Sequence, residues 1–376
     1  MDYKRIDDFV LRLVEESTPE RTVWNIEKIR EGKAASWNYI DGCMLTALME
    51  MEGITGEERY FQFVRQCVDH FVGDDGTIRT FQPEAYNLDD INEGRVLFAL
   101  YSRTGEEKYR MAARKLREQL AKQPRTDEGN FWHKAIYPNQ VWLDGIYMAQ
   151  PFYALYQKHF GNSDFSDTVG QIKNVRGKMF SEEKGLYFHG YDASRAAFWA
   201  DPETGCSRNF WLRSLGWFAV ALADLVEILP EGQDRKELAA IFSELMASAD
   251  RYADPETGLY WQVPDQGGRE GNYLETSGSA MMSYAMLKGA RLGILEKEYA
   301  AKGRKTFNGI VEKYLTFTES GLDLGGICLV AGLGPETNRR RDGSYAYYIS
   351  EPVVRNDAKG VAPFVLAYTE IKRITA

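Results

Sequence analysis

Histidine and cysteine are scarce in this chain, with four of each in 376 residues. Cys43, Cys67, Cys206 and Cys328 are widely scattered and form no CxxC pair, so no structural zinc site is expected. This usage reads as reduced thiols in a cytoplasmic protein. No window approaches 18 uninterrupted apolar residues, so no membrane span is expected. The N-terminal Met1-Asp-Tyr-Lys-Arg-Ile-Asp-Asp-Phe-Val10 is charged and amphipathic, without the apolar centre of a signal peptide. Excess positive charge is also lacking. A formal net charge of −9 argues against nucleic acid as a partner, because phosphate binding needs a basic surface. An anionic substrate would have to be drawn by a local cluster of Arg and Lys. There is no P-loop, no dinucleotide fingerprint, no GxSxG elbow and no HExxH, and no Ser or Cys has an adjacent base. No metal or cofactor is expected.

Aromatic residues are abundant, with 22 Tyr, 19 Phe and 8 Trp. Rings in this number suit a large core and also a groove for flat or sugar-like ligands. Carboxylates among aromatics, with little other chemistry, point to work on carbohydrate.

Helical periodicity dominates. Tyr60, Phe61, Val64, Val68 and Phe71 share one helix face, as do Tyr109, Ala113, Leu116 and Leu120. Segments such as Ile146–Tyr156 and Phe210–Leu225 are apolar nearly all round, which is how a buried helix reads. Twelve helices are predicted, over 3–16, 36–52, 57–72, 91–103, 106–122, 142–159, 164–178, 210–228, 234–251, 274–292, 296–314 and 358–374. Pro151 must kink the sixth or sit near its start. Gly76, Gly129, Gly185, Gly258 and Gly321 centre turns spaced 53, 56, 73 and 63 residues apart. Such a period fits one two-helix hairpin with a long loop. The fold expected is therefore all-α, an (α/α)6 barrel of six helical hairpins. An open solenoid or two separate bundles are the alternatives. No Pro/Ser/Gly-rich linker divides the chain, so 1–376 reads as one domain. The exception to helix is 323–355, a long loop with short strands.

In such a barrel the inner helices run parallel and their N-terminal ends meet at one face. Trp37, Asp41, Asp89, Asp90, Trp142, Asp144, Trp211, Arg213, Trp217, Glu275, Asp357 and Lys359 fall at those ends. Any one acid there, taken singly, reads as a helix cap favoured by the dipole rather than as a catalyst. Together with Trp and a lone Arg, they mark a ligand pocket. Asp144 lies between Trp142 and Tyr147, where lost hydration should raise its pKa and let it act as an acid. Arg213, in an apolar segment, needs a carboxylate from the protein or from a ligand. His189 falls on a loop, Lys134 adds positive charge before the Asp144 motif, and the Arg339–Arg341 run is either a solvated turn or a loop that steers an anion.

Four motifs resemble glycoside hydrolase family 105, the unsaturated rhamnogalacturonyl hydrolases. They are Pro138-Asn-Gln-Val-Trp-Leu-Asp-Gly145, Tyr187-Phe-His-Gly-Tyr191, Asn209-Phe-Trp-Leu-Arg-Ser-Leu-Gly-Trp217 and Arg341-Asp-Gly-Ser-Tyr…Tyr-Ile-Ser-Glu-Pro352. The resemblance spans Trp37 to Phe364 and implies an (α/α)6 barrel without metal. It also implies hydration of the vinyl ether bond of a 4,5-unsaturated uronic acid, with release of the remaining sugar. By this resemblance Asp144 is the acid and base, and Asp89 orients water or binds sugar hydroxyls. Arg213 pairs with the uronate, Trp142, Trp211 and Trp217 wall the ring, and His189 and Lys134 join the pocket; Trp37 and Asp41 are further substrate-binding candidates. The chain departs at Ser214-Leu215, where members best known for rhamnogalacturonan carry Gly-Asn, so the leaving sugar stays open. An unsaturated glucuronyl hydrolase of family 88, a lyase or epimerase, and a non-catalytic sugar-binding barrel are the alternatives.

Overall fold

The structure, a computed structural model, describes residues 4–319 and 321–375. Residues 1–3, Ser320 and Ala376 lie outside the described residues, and with them the first residue of the helix predicted over 3–16 and the middle of the Gly321 turn. In chain order the helices are α1 (Lys4–Glu15), α2 (Ile26–Glu31), α3 (Tyr39–Thr55), α4 (Glu58–Phe71) and α5 (Asp89–Asn92). They continue as α6 (Val96–Thr104), α7 (Glu107–Lys122), α8 (Leu143–His159), α9 (Ser166–Met179) and α10 (Leu212–Ile228). The last are α11 (Gln233–Ala249), α12 (Thr276–Arg291), α13 (Glu298–Tyr314), α14 (Tyr345–Ser350) and α15 (Ala358–Thr375).

The segments that are apolar all round form the inner layer. Every residue from Leu212 to Val226 in α10 is buried. Around the inner ring, α3 packs on α5, α5 on α8, α8 on α10, α10 on α12, α12 on α15, and α15 closes back on α3. The amphipathic helices lie outside, with α4 against α3, α7 against α6, α9 against α8, α11 against α10 and α13 against α12. This is the helical barrel expected from the alternation of apolar and amphipathic segments. One apolar cluster runs through it from Ile6 to Ile371. Close approach of the inner helices depends on small residues: a Cβ on Gly278 of α12 would fall 2.3 Å from Leu212 Cγ of α10.

Several features differ from the sequence expectation, among them α2 and α14, two short helices where none was predicted. The helix predicted over 91–103 is broken into α5, a 3-10 turn over Glu93–Arg95, and α6. There the buried Glu93 carboxylate takes the Asn38 N–H (2.7 Å), and a Cβ on Gly94 would lie 2.3 Å from Leu116. Pro151 sits inside α8, which continues through it with the Tyr147 carbonyl deprived of its helical donor. Short strands also occur outside 323–355. They are β1 (Gln140–Trp142), β2 (Phe180–Ser181), β3 (Leu186–Tyr187), β4 (Gly190–Asp192), β5 (Leu315–Thr318), β6 (Gly321–Leu324), β7 (Ile327–Cys328) and β8 (Val353–Val354). They pair only as β1–β4, β2–β3, β5–β6 and β7–β8, all antiparallel. Among the described residues no helix is long and apolar enough to cross a membrane.

Candidate active site

Asp144 is positioned by two motifs that lie 45 residues apart. Asn139 adopts a left-handed conformation (φ 61°), which asparagine tolerates better than most residues, and turns the chain into β1. β1 pairs with β4 so that Trp142 lies opposite Gly190, and the Leu143 N–H bonds to the His189 carbonyl (3.1 Å). His189 thereby faces the first turn of α8. Its Nε2 lies 3.2 Å from Asp144 Oδ2, and its Nδ1 lies 2.7 Å from the Tyr348 hydroxyl. The Asp144–His189 contact is out of line for a hydrogen bond, and both of these atoms are buried without another partner. Oδ1 is thus the oxygen through which the part-exposed Asp144 carboxyl can reach solvent. The Tyr348 hydroxyl thus fixes the His189 ring by its Nδ1 and leaves Nε2 on the side of Asp144.

The second carboxylate is Asp89, at the start of α5. It takes a hydrogen bond from Lys134 Nζ at 2.6 Å, and His133 Nε2 stands 3.8 Å away. Burial pushes the Asp89 carboxyl up, but Lys134 and His133 outweigh it and hold the group below the ordinary carboxylate value. Asp89 is therefore ionised and an acceptor. Burial likewise lowers the His133 imidazole, to about 4 despite Asp89, so this ring is neutral near pH 7. His133 stacks on Trp142 at 4.4 Å, and a Cβ on Gly145 would stand 2.7 Å from its Nδ1, so the ring packs directly on α8.

Other expected residues are brought to this end but lie behind the rim. Arg213 is fully buried under Trp211 (4.8 Å). Its guanidinium bonds to the Cys328 and Leu329 carbonyls and the Ser277 hydroxyl rather than forming an ion pair with a carboxylate. Of the two partners that the sequence left open, a protein carboxylate is not the one found: backbone oxygens and the Ser277 hydroxyl take its N–H groups. Trp211 stacks parallel to Tyr348 with ring centres 6.0 Å apart. Trp142 is covered by His133 and Tyr137. Trp217 sits deeper, stacked on Tyr147 at 4.6 Å. Trp37 is buried against Phe71, with its indole N–H on the Asp90 carbonyl (2.7 Å). Asp41 accepts hydrogen bonds from Thr22, Trp24, Asn25 and Asn38, which ties the 22–25 loop to α3. Glu275 caps α12 through the Gly278 N–H, and Asp357 holds the Lys359 N–H at the start of α15.

Sequence reasoning missed His133, Tyr348 and Tyr39 as parts of this site. Tyr39 opens α3 within the fields of Asp89, Arg213 and Asp357; burial, with Glu27 and Asp89, holds its phenol protonated. Its place at an inner-helix start was the available signal. Tyr348 could not be linked to His189 across 159 residues by spacing. Among the described residues no three His, Cys, Asp or Glu side chains gather as metal ligands.

Asp90, beside Asp89, makes a test of these electrostatics. Burial and the neighbouring Asp89 charge push its carboxyl up to about 7, against Lys134, Asn87 and Lys28. Its raised folded pKa means that stability is fully present below the unfolded value of about 4 and is lost as pH rises through about 7. Asp90→Asn should therefore raise the melting temperature by a few degrees at about pH 8 and by less at about pH 5. A gain that does not grow with pH in thermal melts would contradict this.

The family model described as Glycosyl Hydrolase Family 88 matches residues 13–375. The chain is similar in structure to a glycoside hydrolase from family 105 of C. acetobutylicum ATCC 824, at 40% identity and TM-score 0.88, covering 92% of this chain and 97% of that one. It is 40% identical over 228 residues to a 24.9 kDa protein in the picA locus of Rhizobium radiobacter, covering 59% of this chain and 97% of that protein. It is 23% identical over 180 residues to an unsaturated 3S-rhamnoglycuronyl hydrolase of Formosa agariphila, covering 46% of each. The chain belongs to glycoside hydrolase family 105, in the wider group described by the family 88 model, and is a glycosidase.

Proposed function

We propose that the enzyme removes the 4,5-unsaturated uronic acid from the non-reducing end of rhamnogalacturonan fragments left by pectin lyases, working in the cytoplasm. The observation that carries this reading is the part-exposed Asp144 carboxyl, buried on one side against a tyrosine-held His189, on the same rim as the ionised Asp89. One group can give a proton while the other accepts hydrogen bonds from water or sugar hydroxyls. The name of the Formosa agariphila relative supports an unsaturated substrate. Four free, buried cysteines suit a reducing compartment.

In this mechanism Asp144 gives a proton to C4 as the C4=C5 bond breaks, which leaves positive charge shared between C5 and the ring oxygen. Water bonds to C5 and returns its spare proton to Asp144. Asp89 holds that water or the neighbouring hydroxyls. The C5 hemiketal then opens, and the ring oxygen becomes a hydroxyl on C1. C1, now a hemiacetal, expels the leaving sugar as an aldehyde forms. No bond between sugar and enzyme is made.

Rhamnose is the proposed leaving sugar. The Ser214-Leu215 pair does not itself read it, because both residues are buried and Ser214 Oγ donates to the Trp211 carbonyl (2.8 Å). Incubation with a lyase digest of rhamnogalacturonan should bleach the ultraviolet absorbance of the conjugated bond and release free rhamnose. Rising absorbance would instead indicate a lyase, and unchanged absorbance with bound sugar a non-catalytic barrel.

A further inference from the structure

Three arginines follow one another on the loop between β7 and α14, and their surroundings differ. Arg339 pairs with Glu336 (3.1 Å) and lies over Phe198. Arg340 pairs with the buried Glu351 (2.7 Å) and lies over Tyr347. Arg341 has no ion-pair partner among the described residues, and its Nε is buried without a hydrogen-bond partner. The next carboxylate in the chain, Asp342, is engaged by the Ser344 N–H (2.9 Å).

The loop is built to hold Arg341 in place. The Gly334 N–H bonds to the Arg341 carbonyl (2.8 Å), the Arg341 N–H to the Asn338 carbonyl (3.2 Å), and the Gly332 N–H to the Tyr347 hydroxyl (2.9 Å). A Cβ placed on Gly332 would lie 3.3 Å from Arg341 Nη1 and 3.5 Å from Trp142 Cζ3. The guanidinium and the edge of the Trp142 ring therefore flank the same glycine, and Trp142 stands two residues before Asp144 in the chain. Lys134 is neutralised by Asp89, Lys359 by Asp357 and Glu27, and Arg213 is sealed under Trp211 by carbonyls. Arg341, by contrast, pairs with no carboxylate among the described residues, in a protein with a net charge of −9.

We propose that Arg341 is a specificity-determining residue that pairs with a carboxylate of the bound oligosaccharide, a role that rests on the function proposed above. A planar guanidinium with free N–H groups matches a carboxylate in a bidentate fashion, which a lysine cannot do. The carboxylate can be that of the unsaturated uronate itself or that of an acidic leaving sugar.

The test compares wild type, Arg341→Lys and Arg341→Ala on two unsaturated disaccharides, one with a neutral and one with an acidic leaving sugar. Circular dichroism checks the fold. Turnover by the wild type tests the proposed function, while calorimetric binding of both disaccharides to Asp144→Asn with and without Arg341→Ala tests Arg341 independently of turnover. Arg341→Ala should raise KM and weaken binding by about 10- to 100-fold with kcat changed far less, and Arg341→Lys should recover only part of the loss. Equal losses on both disaccharides assign the contact to the unsaturated uronate. A loss confined to the acidic one assigns it to the leaving sugar. Unchanged KM and binding on both would overturn the proposal, as would a uniform loss of kcat that Arg341→Lys fully restores.

Discussion

Asp144→Asn should lower kcat by about 10³-fold, the scale of a positioned proton transfer, while KM stays close to wild type. Asparagine matches the carboxyl in shape but can neither give a proton to C4 nor take one back from water. Asparagine is as neutral as the protonated acid that the first step requires, so weaker binding of an anion is not expected. Little stability should be lost either. Asp144 Oδ2 has no aligned hydrogen bond in the folded chain, so no partner is orphaned by the change. The melting temperature should stay within about 2 °C of wild type. Steady-state kinetics on an unsaturated disaccharide, with a thermal melt of the same preparation, checks both halves. A variant that retains a tenth or so of wild-type kcat would show that the proton comes from elsewhere.

Asp224→Asn acts at the opposite end of the inner helices and should change stability rather than chemistry. The Asp224 carboxylate is nearly inaccessible and is shared by Arg95 (2.7 Å), Lys288 (2.7 Å) and the Tyr284 hydroxyl (2.8 Å). Removing its charge leaves the buried Arg95 without an ion-pair partner and Lys288 with Glu227 alone (2.7 Å), a loss of about 3 kcal/mol. The effect depends on pH. Burial pushes the Asp224 carboxyl up, but Lys288 and Arg95 more than reverse this and bring it down to about 2. A depressed folded pKa contributes stability that is present above the unfolded value of about 4 and lost as pH falls towards about 2. Denaturant melts across that window should show the wild type approaching the variant as acid is added. A constant gap would mean that the carboxylate is not the source of the difference. Activity per folded molecule near pH 7 should be unchanged.

The helices were legible because a 3.6-residue apolar period is a local signal, and burial on all sides separates inner from outer members. Leu212–Val226 and the Tyr60–Phe71 face show the two patterns and take up the two layers. Contacts between distant segments leave no such trace. The three-residue pairing of β1 with β4 carries Asp144 to His189, yet neither strand is long enough to show alternation. Asp41 has the position of a rim acid, but its hydrogen bonds to Thr22, Trp24 and Asn25 make it a tether for the loop before α2. Trp217 has a suitable place in the chain for stacking a sugar, but its face is taken by Tyr147. A tryptophan's position at a helix start says little about which of its faces stays open. The Arg339–Arg341 run shows the same limit, since three adjacent arginines are alike in sequence and only their neighbours set Arg341 apart.

The central claim is that water adds across the C4=C5 bond before the leaving sugar departs. The most direct test is a time course in deuterium oxide with a purified unsaturated rhamnogalacturonan disaccharide, following absorbance and free rhamnose together and reading the early product by NMR. Bleaching should run level with or ahead of rhamnose release, with deuterium entering at C4, and both signals should vanish in Asp144→Asn. Rhamnose appearing ahead of bleaching, with no deuterium at C4 in the early product, would place the attack at the anomeric carbon and contradict the mechanism.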